Sequence, residues 1–307
     1  MSWQSALACW AVRRRMRPET AKPELDVGRA RAYTSRRLWS PGVPDGWRLQ
    51  TGDDGEWLRN ATSRRTILYL HGGGYYFCSP RSHRAISFGL AVRARANVFS
   101  LDYRLAPEHR FPAAVDDAVA AYRALLADGI APEATIIAGD SAGGGLALAT
   151  LVALRDAGDP LPAGGVLFSP WTDLTCSGAS MRTNEGRDPM FHAAVFPQVA
   201  AQYLGDADAT HPYASPLFGR FDGLPPLLIQ AGDTELLLDD STRVVEKARA
   251  AGVRAELQLW RNVPHIFQIW APFMPEAREA LALAGRFIGE VATAPARDHR
   301  APITSIV

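Results

Sequence analysis

Thr135-Ile136-Ile137-Ala138-Gly139-Asp140-Ser141-Ala142-Gly143-Gly144-Gly145 is the stretch on which the reading of this chain turns. Its first five residues are a short apolar run that fits a buried strand, and from Ala142 a helical pattern runs on to Asp156. The serine between them has the G-x-S-x-G form, which holds a nucleophile on a sharp strand-to-helix turn. Side chains at 139 and 143 would collide where strand and helix nearly touch, so glycine is needed there. The new helix N-terminus adds unpaired N–H groups and partial positive charge beside the hydroxyl. Gly144 and Gly145 suit close packing rather than chemistry. A purely structural glycine turn would look the same, so the neighbouring motifs have to decide.

Upstream, His71-Gly72-Gly73-Gly74-Tyr75 follows directly on the apolar run Thr66–Leu70. Three glycines let the backbone turn its N–H groups into a pocket with no side chain in the way. The amides of Gly73 and Gly74, with that of Ala142, are the candidate oxyanion donors; losing one such donor typically costs about 3 kcal/mol of barrier. His71 itself reads as a brace for the loop. Downstream, a serine nucleophile on this kind of turn takes its partners in the order acid, then histidine. Of the seven histidines, only His265 and His299 follow both Ser141 and an acidic cluster, and His299 sits in an Ala/Pro-rich tail. His265 lies in a loop after the strand-like run Glu256–Trp260 and is the candidate base.

The acid is less determined. The run Leu227–Gln230 leads into a segment holding Asp233, Glu235, Asp239 and Asp240. A carboxylate here would accept from the imidazole, fix its tautomer and stabilise the imidazolium. Asp233 and Glu235 both suit that place, and chemistry alone does not separate them. Asp239 and Asp240 suit the cap of the following helix, and Asp173 is a more remote option. Together the three motifs point to acyl transfer by a serine, with ester hydrolysis the leading reading.

The rest of the chain fits around these motifs. Gly46–Gln50 and Glu56–Asn60 flank a Gly-Asp-Asp-Gly hairpin signal. Apolar runs at Thr66–Leu70, Asn97–Leu101, Thr135–Gly139, Gly165–Phe168, Leu227–Gln230 and Glu256–Trp260 read as strands. They alternate with helical stretches at 82–95, 113–127, 142–156, 241–251 and 275–291, a pattern that implies a mostly parallel sheet covered on both faces. Residues 175–224 break the alternation and read as an insertion. Residues 1–40 look like short helices, with Trp3, Leu7 and Trp10 forming an apolar stripe that suits packing, and the tail 292–307 is expected to fray.

With 307 residues, 47% hydrophobic and 21% charged, the composition is that of an ordinary globular protein with room for one sizeable α/β domain. Net charge is +1, which argues against nucleic acid or acidic membranes as partners. The first forty residues hold nine Lys/Arg against three Asp/Glu, read as a solvated helix face. Cys9, Cys78 and Cys176 are scattered without metal-ligand spacing, so no metal is expected and a reducing, cytoplasmic setting is. No stretch approaches the roughly 20 apolar residues that span a bilayer. Tyr75, Tyr76, Phe77, Phe191, Phe196 and Tyr203 are candidates to line an apolar acyl or alcohol pocket.

The chain resembles the hormone-sensitive-lipase-like branch of the α/β-hydrolases, the bacterial esterase and acetyl-hydrolase group, from about residue 25 to 290. The resemblance rests on His71-Gly72-Gly73-Gly74-Tyr75, Asp102-Tyr103-Arg104-Leu105-Ala106-Pro107-Glu108, Gly139-Asp140-Ser141-Ala142-Gly143-Gly144, Ser169-Pro170-Trp171-Thr172-Asp173-Leu174 and Pro264-His265. It implies the α/β-hydrolase fold: a mostly parallel, eight-stranded sheet flanked by helices, within a catalytic domain over 41–291. A helical cap would come from residues 1–40 and the 175–224 insertion. It also implies cofactor-free hydrolysis of short- to medium-chain acyl esters, and a homodimer by analogy. Many relatives carry Asp-Pro-Leu-x-Asp at the acid; here that position is Glu235, followed by Leu236 and Leu237. Position and spacing favour Glu235, residue type favours Asp233. The 102–108 run is expected to brace the oxyanion loop through charge pairing.

Two other readings use the same residues. A lactone hydrolase would need identical machinery. A non-catalytic small-molecule receptor on this fold resembles the chain in its serine elbow, but such receptors lack the histidine that stands here at 265.

Overall fold

The computed structural model describes residues 2–22, 24–35 and 40–292. Its strands are β1 (Arg48–Thr51), β2 (Gly55–Arg59), β3 (Arg65–Leu70), β4 (Ala96–Leu101), β5 (Thr135–Asp140), β6 (Gly164–Phe168), β7 (Leu227–Gly232) and β8 (Ala255–Trp260). They form one eight-stranded sheet in the order β1-β2-β4-β3-β5-β6-β7-β8. β1 and β2 make the expected antiparallel hairpin, β2 runs antiparallel to β4, and all pairings from β4 through β8 are parallel. The helices are α1 (Trp3–Arg15), α2 (Val27–Ser35), α3 (Arg84–Ala94), α4 (Ala113–Ala127), α5 (Ala142–Ala157), α6 (Ser180–Thr183), α7 (Val195–Leu204), α8 (Leu238–Ala250) and α9 (Pro275–Val291). Among the described residues no helix is long and apolar enough to cross a membrane.

Parallel strands need crossover helices, and those helices bury both faces of the sheet. Alternation along the strands divides the core accordingly. Leu68, Leu70, Ile137, Leu167 and Ile229 face the layer that holds Leu146, Leu148 and Leu151 of α5 and Val244 of α8. Ile67, Tyr69, Ile136, Val166 and Leu228 face Ile86 and Leu90 of α3 and Leu281 and Ile288 of α9. From β3 the chain crosses to β4 on one side and later to β5 on the other. The crevice outside the carboxyl ends of β3 and β5 is therefore the switch point where such sheets bind ligands, and the oxyanion loop and the serine both lie there.

Three expectations are corrected. The helix expected at 82–95 begins as a 3₁₀ turn over Pro80–His83. The Trp3/Leu7/Trp10 stripe does not pack inward: Trp3 is 67% and Trp10 59% exposed, while Ser5, Ala8 and Val12 are buried. The small residues let α1 lie close to the body, where Ser5 Oγ donates to Asn262 O at 2.7 Å and Ser2 holds Glu276. Third, the basic start is not simply a solvated face. Arg13 donates to Gly186 O and Arg187 O, and Arg17 reaches both Phe191 O and the Glu185 carboxylate. These arginines fasten the N-terminal segment to the 175–224 insertion. The tail expected to fray lies outside the described residues, apart from Ala292, as does His299.

The reversed face of α1 has a measurable consequence. Val12→Ser should lower stability by about 2 kcal/mol, the scale of a buried apolar side chain. Trp10→Ser should change it by no more than about 0.5 kcal/mol, as surface changes do. Thermal denaturation of the two variants checks this, and the opposite ranking would contradict the packing of α1.

Candidate active site

Ser141 sits between β5 and α5 with φ +52° and ψ −125°, a backbone conformation that L-residues rarely adopt. Strain of this kind persists only where surroundings over-determine it. Here the Ser141 N–H donates to Phe168 O at 2.8 Å, and its carbonyl accepts from Gly145 and Trp171. The glycine argument holds in detail at Gly143, where a Cβ would run into the backbone carbonyls of Leu70 and His71, and at Gly139, where it would run into Gly143 itself. The turn thus brings α5, by close backbone contact, against the end of β3 and the start of the oxyanion loop.

That loop turns through Gly73 (φ +113°), Gly74 (φ +58°) and Tyr75 (φ +64°). Among the described residues, the N–H groups of Gly73, Gly74 and Ala142 have no protein acceptor, whereas Gly72 N–H donates to Asp140 Oδ1 at 3.1 Å. Asp140, buried inside the serine motif, also accepts from the Tyr69 hydroxyl and lies 3.2 Å from His83 Nε2. Burial raises its pKa, but the neighbouring His83 and the hydrogen bonds outweigh that and hold this carboxyl below its ordinary range. His71 does brace the loop. Its Nδ1 lies 2.7 Å from Gly72 O, and its ring stacks on Tyr103 at 4.4 Å. Burial first, then the neighbouring His83, pushes its pKa down to about 3, so it stays neutral.

The expectation that the 102–108 run braces the loop by charge pairing is corrected in part. The close contacts come from uncharged groups: the Tyr103 hydroxyl donates to His71 O at 2.6 Å and Ala106 N–H to Tyr75 O at 2.8 Å, while the Asp102 carboxylate lies 4.0 Å from Nε2 of the neutral His71. Arg104 turns away to Asp117 on α4. Glu108 does pair with Arg31 of α2, and that arginine in turn donates to Tyr76 O and Ala106 O. Nothing in the pattern around Arg31 marked it for this part.

On the other side of Ser141, β7 ends at Gly232 and the chain turns through Glu235. Glu235 is fully buried, and its Oε2 lies 2.6 Å from His265 Nδ1. Its second oxygen accepts from Ser169 Oγ at 2.8 Å and from Gly232 N–H. Ser169 Oγ also accepts from Ile266 N–H at 3.3 Å, so this hydroxyl bridges the carboxylate and the histidine loop. Burial disfavours the imidazolium, but the charge and hydrogen bond of Glu235 outweigh it, with help from Asp188 and Asp140. The His265 pKa is therefore held above 6.5. Phe191 packs edge-on against the His265 ring at 5.0 Å.

The other acidic candidates lie elsewhere. Asp233 accepts from Asn262 N–H at 2.8 Å and so shapes the loop before His265 without touching the imidazole. Asp173 is bound by Thr175, Ser177 and Arg243. Asp239 and Asp240 do not cap α8 as expected. They accept from Ser180 N–H and from the N–H groups of Thr172 and Asp173, tying α8 to the chain after β6. His265 Nε2, the nitrogen facing away from Glu235, is buried with no hydrogen-bond partner, and no hydrogen bond joins it to Ser141. Before substrate binds, that contact is commonly long in enzymes of this chemistry. Of the aromatic candidates, Tyr75 and Tyr203 stack at 3.8 Å within the core, and Phe196 packs edge-on against Trp171.

Known proteins place the chain in a family. The model of the α/β-hydrolase fold family matches residues 67–269. An acetyl-hydrolase of Streptomyces hygroscopicus is 48% identical over 249 residues, 80% of this chain and 83% of that protein. An esterase of Acinetobacter venetianus is 40% identical over 74% of this chain and 75% of its own length. Among solved structures, an esterase of the bacterial hormone-sensitive lipase family superposes with a TM-score of 0.89 at 41% identity, covering 95% of this chain and 99% of that one. EstE5, soaked with p-nitrophenyl butyrate, superposes with a TM-score of 0.88 at 40% identity over 94% of this chain and 99% of its own. With an eight-stranded sheet of this topology and relatives of this closeness, the chain belongs to the α/β-hydrolase family, in its hormone-sensitive-lipase-like branch of esterases and acetyl-hydrolases, and is a carboxylic ester hydrolase.

Proposed function

We propose that the hydrolysis runs through Ser141, His265 and Glu235, with the amides of Gly73, Gly74 and Ala142 as the oxyanion hole. The observation that carries this reading is the 2.6 Å contact between Glu235 and His265 Nδ1, which leaves Nε2 as the buried, unpaired nitrogen. With Nδ1–H given to the carboxylate, neutral His265 presents Nε2 as a base. Nε2 takes the Ser141 hydroxyl proton as Oγ forms a bond to the ester carbonyl carbon. The carbonyl electrons move onto oxygen, where the three amides receive the charge. Collapse breaks the bond to the alkoxy group, which leaves with the proton from His265, and an acyl-serine remains. Water, deprotonated by His265, then frees the acid and restores the serine.

The substrate class within this reading is esters of short to medium acyl chains. Phe191 of the insertion packs edge-on against the His265 ring at 5.0 Å, and a ring held on the base in this way favours small acyl groups. Three unpaired cysteines suit a cytoplasmic setting. Dimerisation through β8 belongs to the same reading: it is the last strand of the sheet, and Leu259 on it is 50% exposed. A sedimentation mass of one chain at micromolar concentration would remove the dimer from the account.

Ser141→Ala should abolish turnover of p-nitrophenyl butyrate while circular dichroism stays unchanged; retained turnover would refute the nucleophile. Across p-nitrophenyl esters, kcat/KM should fall steeply beyond medium chains, and a preference for long, insoluble esters would contradict this substrate class.

Glu235→Gln should lower kcat severely, up to about 10⁴-fold as when a triad acid is neutralised, whereas Asp233→Asn should have only a small effect. The reverse ranking would move the acid to Asp233. The pH dependence tests the same contact. Acid protonates His265 and removes the base, so kcat/KM falls as pH drops through the His265 pKa. Because that pKa is held above 6.5, the acid limb should lie above pH 6.5. Removing the Glu235 charge lowers the pKa, so in Glu235→Gln the residual activity should show its limb at lower pH. A limb that moves upward would contradict the assignment.

A further inference from the structure

Asp188 is a fully buried carboxylate that the proposed chemistry does not use. It lies in the insertion, between α6 and α7, yet its two oxygens face different parts of the chain. Oδ1 accepts from Met190 N–H at 2.7 Å and Phe191 N–H at 3.0 Å, within its own segment. Oδ2 accepts from Leu236 N–H at 2.9 Å, one residue beyond Glu235. Asn184, on the same segment, donates through Nδ2 to Glu235 O at 2.8 Å. The peptide units of the acid loop are thus gripped from the insertion, while Phe191 lies against the His265 ring. The segment is anchored in turn from the N-terminus by Arg13 and Arg17, and Thr20 accepts from His192 N–H.

We propose that Asp188 is a positioning residue for the acid–histidine pair, setting the backbone beside Glu235 from the insertion. The inference rests on the triad reading above. A carboxylate suits this place because both of its oxygens must accept. Asparagine has the same shape, but in either orientation it points an NH₂ group at an N–H donor, either Leu236 or the Met190/Phe191 pair. An unpaired donor in a buried site is costly, so the acid loop should shift. Other charges face the same groups. Glu235 and Asp140 also raise the His265 pKa. Glu235 and His265 act on Asp188, and Cys9 of α1 lies near it as a neutral thiol, its pKa pushed up to about 11 chiefly by burial. Of these, Asp188 is the charge that the substitution removes.

The test uses the full chain and p-nitrophenyl butyrate, with kcat, KM and the pH profile of kcat/KM measured for wild type, Asp188→Asn, Asp188→Ser and Ser141→Ala. Asp188→Asn should lower kcat about ten- to a hundred-fold, the cost of small displacements of reacting groups, with KM within about twofold. Its acid limb should move to lower pH, because one of the charges favouring the imidazolium is gone. Asp188→Ser should move both quantities the same way. Ile288→Val, a core substitution on α9, serves as the stability control and should lower the melting temperature without moving the limb. An unchanged kcat in Asp188→Asn overturns the proposal. So does a loss of activity and stability with the limb unmoved, which would mark a merely structural residue, and so does failure of both Asp188 variants to fold. If Ser141→Ala is itself active, the triad reading fails instead, independently of Asp188.

Discussion

The buried contact between Glu235 and His265 is the interaction around which this molecule is arranged. Removing a carboxylate and an imidazole from water is unfavourable unless the remaining hydrogen-bonding capacity is met, because an uncompensated charge in a low-dielectric interior costs several kcal/mol. The surroundings meet it for the carboxylate, while His265 Nε2 is left unpaired. Gly232 N–H and Ser169 Oγ occupy the other carboxylate oxygen, and Asn184 and Asp188 hold the backbone on either side. Asp233 shapes the loop that delivers His265. Contributions come from the chain after β6, after β7, after β8 and from the insertion. The carboxyl edge of the sheet is thus a single connected polar network rather than a set of separate motifs, and such networks are most stable when every member is satisfied.

The opposite flank of Ser141 is built on different terms. There the proposed oxyanion hole calls for N–H groups with no acceptor of their own, ready to receive charge when it develops. Largely neutral groups keep this glycine loop in place: Tyr103, Tyr69 and a histidine held uncharged by burial, with the buried Asp140 placed to hold Gly72 N–H rather than the amides of Gly73 or Gly74. Arg31 ties this flank to α2, while Arg13 and Arg17 tie the acid flank to the N-terminal segment. Both halves of the proposed site are therefore fastened from the first thirty-one residues, which links the N-terminal helices to its geometry.

Much of this was legible in the chain itself, for physical reasons that also mark where legibility ends. The apolar runs of the inner strands could be read because a parallel sheet buries both faces and leaves little polar alternation, while edge strand β8 is only partly buried and alternates Glu256 and Gln258 with leucines. The glycines around Ser141 announced themselves because only glycine tolerates the close passage of α5 under Leu70 and His71. By contrast, the stripe on α1 could be seen but not oriented. Periodicity tells which residues share a face, and here the face that packs is the one of small side chains. Glu235 and Asp233 were inseparable because each satisfied one of two rules, spacing or residue type, and the choice depends on loop geometry after β7. Arg31, Ser169 and Asp188 carry no motif at all. Their partners are mostly backbone groups far away in the sequence, which no local pattern encodes.

The most direct test of the central contact is the proton that it holds. One-dimensional proton NMR in water, at a pH where His265 is protonated, should show a strongly deshielded resonance from the Nδ1 proton shared with Glu235. It should persist in Asp233→Asn and vanish in Glu235→Gln and His265→Gln. A resonance that survives in Glu235→Gln but disappears in Asp233→Asn would contradict the account and place the imidazole against a different carboxylate.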